Sequence, residues 1–445
     1  MQGILLTSRA TLVKSILINF ATKLLPLVIG FTCVPFIIKY LGNERFGVLT
    51  LIWAVIGYST VLDMGLGRAL TQHIASKIGE NDTSELPTTI ITSIISVFTL
   101  GAIGSFLLWF FSSPIVHMLN VSESLSGETL TAIRIVVISL PFLIGNIMVM
   151  GVFEAYQKFA FLNKMNWPIV FANFIAPYFI LPYFNNLSAV VIAVLISRAF
   201  VFIVMIAFLS SLIPEFFKRA SFNIDKIKLL FGNSKWVGIN SVNEGIASLV
   251  DRFFVSSLLG ASVVAFLTTP SYALGRFSGF VNSAINVMFP AFSTEFIQNP
   301  QRCRRIYFKA IKMMAGVMII PFLLIALFSK PLLTLWLGRS FAEQSYLCLS
   351  FYSVVFYFRG IGSLIQSFID ASGNMKTSCL IHVITLPLLL LMLLGFIGSM
   401  GIIGAPIALA IREFLCMCLK VFYAEKYFAE KLDTSSELLN IAYVS

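Results

Sequence analysis

Long apolar stretches separated by short polar ones run the length of the chain. Each stretch is close to the roughly 20 residues an α-helix needs to cross a bilayer. The pattern predicts spans at about Ile16–Ile38, Phe46–Leu66, Thr88–Phe111, Leu130–Phe153, Phe161–Tyr183 and Ala189–Ile213. After a basic connector come Trp236–Leu258, Val264–Phe289, Ala310–Phe328, Ser345–Ile369, Thr377–Ile397 and Gly401–Tyr423. The expectation is an all-α polytopic membrane protein with about 12 transmembrane helices. Pro26, Gly30 and Pro35 interrupt the first span, and Pro168, Pro177 and Pro182 the fifth. A polar loop is expected through Pro87, and an interfacial helix or tail over 425–445.

The seventh span departs most from a plain apolar pattern. Asn240, Glu244, Ser248 and Asp251 recur at helical spacing, with Arg252 beside them, while Val242, Ile246, Leu249 and Phe253 lie largely on the other side. A charge at the bilayer centre costs about 2.5–3.5 kcal/mol even on the lenient insertion scale. The polar stripe is therefore expected to face protein or water.

Of 445 residues, 58% are hydrophobic and 11% charged, well below the charge content of a soluble domain. The net charge of +11 would suggest nucleic acid in a soluble protein. Here loop position accounts for it. Lys and Arg in loops, tails and the span ends next to them divide 20 to 4 between the two sides, which puts both termini in the cytoplasm and gives nucleic acid no role. The six cysteines form no CxxC pair and read as packed thiols. The first apolar stretch is too long for a cleaved signal and is expected to stay as a helix.

The two halves resemble each other weakly. Leu41, Gly42, Leu49 and Thr50 recur as Leu259, Gly260, Leu267 and Thr268; Glu154-Ala155 recurs as Asp370-Ala371; Arg198 and Phe200 recur as Arg412 and Phe414. Six spans is an even number, so both halves insert the same way round, with a site expected where they meet. The expected organisation is an N-lobe over 1–213, a cytoplasmic connector over 214–235, a C-lobe over 236–424 and a cytoplasmic tail. The two pseudo-symmetric six-helix lobes would surround a central cavity.

Seven basic residues fall four or more residues inside the span limits: Lys23, Arg134, Arg198, Arg252, Arg276, Arg359 and Arg412. Four acids fall within spans: Asp63, Glu244, Asp251 and Glu413. Asp251 with Arg252, and Arg412 with Glu413, could be ion pairs that only fix packing, and Arg134 could snorkel to the interface. The functional reading makes the seven bases a substrate site for an anion, since a guanidinium fork matches two phosphate oxygens. Tyr58, Asn146, Asn173, Asn282, Asn286 and Tyr357 are candidate sugar contacts. His73, His117 and His382 have no catalytic company in the sequence.

Pro35-Phe-Ile-Ile-Lys-Tyr-Leu-Gly42 with Phe46-Gly47, then Leu62-Asp63-Met-Gly65-Leu-Gly67, and Asp251-Arg252 in span 7, carry a resemblance. The chain resembles the polysaccharide (O-antigen, Wzx-type) flippases of the multidrug/oligosaccharidyl-lipid/polysaccharide (MOP) exporter superfamily. The resemblance implies two six-helix lobes that alternate access. It implies an oligosaccharide on undecaprenyl pyrophosphate, moved from the cytoplasmic to the periplasmic leaflet of a bacterial inner membrane. A polysaccharide polymerase and a chain-length regulator are the implied partners, and coupling to an H+ or Na+ gradient is implied as well, with Asp63, Glu244 and Asp251 as its candidates here and no other cofactor.

Two other classes compete. A multidrug exporter of the same superfamily would favour an acidic or aromatic pocket, against the seven-to-four excess of bases. A polymerase or ligase of lipid-linked sugars needs a sizeable external loop, and the longest here is about Ser112–Thr129. A membrane scaffold leaves the charged spans unexplained. Gly373-Asn-Met-Lys376-Thr377 is too short for a phosphate-binding loop, so intrinsic ATP hydrolysis is not expected. The charge asymmetry predicts that a fluorescent protein fused to the C-terminus lights up while an alkaline phosphatase fusion there stays inactive; the reverse result would invert the topology.

Overall fold

The computed structural model describes residues 9–57, 66–80, 82–184, 186–214 and 216–444, with side chains at most of them. Asp63 and Tyr58, and the side chains of Lys23 and Asn286, lie outside the described residues. The helices are α1 (Arg9–Gly57), α2 (Leu66–Gly79), α3 (Leu86–Met118), α4 (Glu123–Ala155), α5 (Phe159–Val170), α6 (Ala176–Ile180), α7 (Leu187–Ala207), α8 (Leu209–Leu212) and α9 (Phe216–Arg219). They continue with α10 (Ile224–Leu259), α11 (Ala261–Gly275), α12 (Ser278–Gln298), α13 (Pro300–Leu327), α14 (Ser329–Leu337), α15 (Arg339–Ala371), α16 (Met375–Met400) and α17 (Gly404–Val444). There is no strand among the described residues. An unsatisfied backbone group in hydrocarbon costs several kcal/mol, and an all-helical backbone avoids that.

Among the described residues, six helical stretches are spanning-length and apolar enough by composition alone, among them Leu86–Met118, Glu123–Ala155 and Arg339–Ala371. The other expected spans either carry charge, as α10 does with Glu244, Asp251 and Arg252, or are broken into shorter pieces.

Several boundaries differ from the expectation. The first span runs through Pro26 and Pro35 as helix and breaks at Gly42, at φ 74° and ψ 168°. The polar loop expected before Pro87 is largely helix α2, because after Gly67 the stretch Arg68–Ile78 holds no glycine or proline. The eighth span is two helices that part at Arg276 and Phe277. The connector expected over 214–235 holds the short α9 and, from Ile224, a helix that runs on into the seventh span. The twelfth span continues through the expected tail as one helix to Val444. In the fifth span the fault is a π-helical turn, Phe171–Ile175, just before Pro177; proline lacks the amide donor a regular turn needs there.

The chain groups into two compact units. One comprises Met1–Gly42, Leu70–Phe110 and Gly127–Ile224; the other comprises Asn43–Ala69, Phe111–Ser126 and Asp225–Ser445. Residues 43–69 and 111–126 thus group with the second unit, although they precede its other segment in the chain. In the first unit, α7 packs against α5, the π turn and α6. Gly101 lets α3 approach α4 closely; a Cβ there would sit 2.8 Å from Pro141 Cα. In the second unit α15 is the hub, packed against α11, α12, α13, α14, α16 and α17.

The internal repeat is written into the backbone. Gly42 and Gly260, equivalent in the repeat, both take positive φ, at 74° and 94°. Asn120 and Gly338 do the same, at 48° and 87°. Helices α4 and α15 are each 33 residues long and end at the matched alanines Ala155 and Ala371. Within the second unit the equivalent residues Thr50 and Thr268 meet, with Thr268 Oγ1 donating to Thr50 Oγ1 at 2.9 Å. Contact this close depends on Gly47, where a Cβ would lie 2.0 Å from the Ala261 carbonyl oxygen. Gly47→Ala is expected to destabilise the second unit by roughly 1–3 kcal/mol, read as a lower Tm in detergent. The control Gly279→Ala adds a methyl with nothing within 4 Å and should leave Tm unchanged.

Candidate functional site

Three polar layers thread the second unit, carried by residues seven apart on α15: Tyr352, Arg359 and Gln366. Seven residues are about two turns, so the layers are about 10.5 Å apart. In the first layer Tyr352 Oη donates to Asp251 Oδ2 at 2.7 Å, and the Arg252 backbone N–H donates to Asp251 Oδ1 at 2.9 Å. In the second, Glu413 Oε1 accepts from Arg359 Nη2 at 2.9 Å, from Arg359 Nε at 3.2 Å and from Arg412 Nη1 at 3.3 Å. In the third, Gln366 Oε1 accepts from Lys420 Nζ at 2.8 Å and faces His382 Nε2 at 3.2 Å. Asn240 Nδ2 and Gln366 Nε2 both reach Glu244 Oε1, at 3.0 and 3.5 Å.

Along α15 the partners on α17 ascend, Glu413 then Lys420, and those on α10 descend, Asp251 then Glu244. Helix α17 therefore runs parallel to α15 and α10 antiparallel, as the alternating insertion of spans 7, 10 and 12 requires. His382 joins the second layer to the third. Arg412 Nη2 lies 3.2 Å from His382 Nδ1 and can only donate, so the imidazole proton is on Nε2 and points to Gln366. Asp251, Arg252, His382, Arg412, Glu413 and Lys420 are all buried. A charge left alone in such surroundings would cost several kcal/mol, so each is tied to a neighbour.

The first two layers open onto a cavity of about 310 Å³. Its walls come wholly from the second unit and include Asp251, Arg252, Arg276, Tyr272, Tyr352 and Arg359. Arg252 lies over the Tyr272 ring, 4.7 Å from its centroid, and donates from Nη1 to Tyr272 Oη at 3.1 Å. Tyr272 in turn donates to the Thr50 carbonyl at 3.0 Å. Arg276 sits where α11 ends and α12 has not begun; it is exposed, and no carboxylate among the described residues pairs with it. Three guanidinium groups against one carboxylate give the cavity a positive balance. The volume is at the lower end of the 300–1,000 Å³ common for ligand sites. It suits a diphosphate or one sugar ring, not a whole oligosaccharide.

The structure thus gathers Arg252, Arg276 and Arg359, with Asp251, at one cavity. Arg412, expected on the same wall, is turned instead toward Glu413 and His382. Glu244 lies in the third layer with its side chain 51% exposed. Arg134 and Arg198 belong to the first unit. Arg134 stacks on Trp109 at 4.9 Å. Arg198 has no hydrogen-bond partner for its buried Nε among the described residues, and its backbone carbonyl accepts from Asn146 Nδ2 at 2.9 Å. Asn146 and Asn173, candidate sugar contacts, bond instead to backbone carbonyls of Phe142 and Ile169.

Sequence reasoning left out Tyr272, Tyr352 and Gln366, gave His382 no role and grouped Lys420 with the cytoplasmic tail. One signal was available: 352, 359 and 366 keep a seven-residue step, as do 413 and 420, so each set lines one helix face.

Comparison with known proteins agrees with this architecture. The MatE family model matches residues 19–179. The Shigella flexneri protein named "Putative O-antigen transporter" is 27% identical over 415 residues, covering 91% of this chain and 96% of its own. A multidrug resistance MATE family transporter in an inward-facing conformation shares the fold, with a TM-score of 0.77 at 15% identity, over 93% of this chain and 96% of that one. The lipid II flippase MurJ, in an inward closed conformation, superposes with a TM-score of 0.74 at 17% identity, over 96% of this chain and 91% of its own. The chain thus matches the MatE family over residues 19–179 and has, over nearly its whole length, the fold of the MATE and MurJ structures.

Proposed function

We propose that this transporter is a flippase that carries an undecaprenyl-pyrophosphate-linked oligosaccharide from the cytoplasmic to the periplasmic leaflet by alternating access. The observation that carries the reading is the cavity with Arg252, Arg276 and Arg359 around a single carboxylate. A pyrophosphate diester or an acidic sugar is the ligand such a set recognises, because each guanidinium offers a planar fork of donors. A pocket for organic cations would need the opposite balance, which disfavours the multidrug reading. The whole-length likeness to the protein named as an O-antigen transporter supports the same choice.

The rest of the proposal follows the topology. The six-span lobes over 1–213 and 236–424 are the moving bodies, and the termini lie in the cytoplasm of a cell with an inner membrane. The polyprenyl tail stays in lipid while the headgroup crosses. A polymerase and a chain-length regulator consume the product on the far side. Energy comes from an H+ or Na+ gradient, with Asp251 and Glu244 on α10, and Asp63, as the coupling carboxylates. Arg198 in the first unit, with its unmatched buried Nε, is a further headgroup contact.

Two outcomes test this. Alanine at Arg252, Arg276, Arg359 or Arg198 should abolish complementation of a flippase-deficient strain at undiminished protein level; normal surface polysaccharide from all four variants refutes the anion site. In proteoliposomes, flux should rise when a proton or sodium gradient is imposed, and Asp251→Asn should remove that response. Indifference of the wild-type protein to both gradients ends the coupling idea.

A further inference from the structure

Arg359 belongs to two places at once. Its side chain lines the cavity, 32% exposed, and it also pairs with Glu413, which is 7% exposed. The bond uses Nε and Nη2, the edge of a guanidinium that best receives two oxygens side by side. Any oxyanion arriving in the cavity meets that edge already engaged. Glu413 has a second partner, Arg412 Nη1 at 3.3 Å, and Arg412 is anchored by His382. Losing Arg359 would therefore leave the buried carboxylate with one cation, not none.

We propose that Glu413 is a built-in competitor for the substrate's anionic group. On binding, the anion takes the Nε–Nη2 edge of Arg359, and Glu413 falls back on Arg412. On departure the carboxylate recaptures Arg359. The exchange weakens binding by what the internal pair is worth and so speeds release. Because Arg359 stands on α15 and Glu413 on α17, occupancy of the cavity also loosens one tie between these two packed helices. Phosphate oxygens and the carboxylate of an acidic sugar share the required geometry, and either source can drive the exchange.

This inference rests on the anion-binding reading of the cavity, and the test separates the two. The full chain in nanodiscs is titrated with inorganic pyrophosphate and, separately, with glucuronate. Glu413→Gln keeps the shape and removes the competing charge, so the effective probe should bind about tenfold tighter, the shift that 1.4 kcal/mol produces. Glu413→Asp, which keeps the charge and shortens its reach, should give a smaller gain of the same sign, and it decides the matter if the glutamine variant fails to fold. In an Arg359→Ala background the gain should vanish. Transport by Glu413→Gln should show a lower KM with a lower kcat. A gain with pyrophosphate alone assigns the exchange to the phosphates, and one with glucuronate alone to the sugar acid. Unchanged or weaker binding by the Glu413 variants, while Arg276→Ala still loses the probe, overturns the exchange and leaves the anion site standing. Binding by Arg276→Ala equal to wild type for both probes removes the anion site and the exchange together.

Discussion

The carboxylate of Glu413 holding two guanidinium groups is the contact on which the second unit depends. Arg359, Arg412 and Glu413 sit among apolar helices, where breaking a buried pair by removing one member costs about 3–5 kcal/mol. One acid between two bases leaves the cluster positive, and the neighbours absorb the remainder. His382 accepts from Arg412, and Gln366 accepts from Lys420, so each cation is solvated by protein in place of water. These bonds also join α15, α16 and α17, whose apolar contacts alone leave rotation and register loosely specified. In hydrocarbon there is no hydrophobic drive between helices, and polar contacts of this kind help set how they dock.

The cavity and the cluster are consequences of one arrangement. The same face of α15 that meets Glu413 at Arg359 presents Tyr352 to Asp251 one layer away. The first layer is acidic and basic in near balance, and the cavity gains its positive character from Arg276 and Arg359. Arg276 stands on the cavity wall at the point where α11 gives way to α12. A backbone fault and a charge at the same position make one feature of the site.

The repeat explains why a glycine-rich turn recurs at equivalent places. Gly42 and Gly260 adopt a backbone region that side chains rarely enter, and each turns the chain sharply from one helix into the next. The turns deliver Thr50 and Thr268 to each other at 2.9 Å, and Tyr272 to the Thr50 carbonyl. The Arg252–Tyr272 stack on the cavity wall is thus fastened, through one more hydrogen bond, to the helix that follows Gly42. Packing between repeats supports the site without touching a ligand.

Hydropathy was enough to read the helices and the membrane, because bilayer thickness and backbone hydrogen bonding allow few alternatives. It also marked Asp251, Arg252, Arg276 and Arg359, since a charge in an apolar run stands out by itself. Partnership it carried only between neighbours in the chain, as for Arg412 with Glu413. Arg412 and Arg359 look alike in the sequence, yet one is locked behind Glu413 and the other borders the cavity. His382, Gln366 and Lys420 looked ordinary until three helices brought them within hydrogen-bond reach. The break at Arg276 and the helix over 66–79 also waited on tertiary structure. Periodicity reports which face of a helix is polar; only docking against other helices decides which polar groups meet there, and which are left for a ligand.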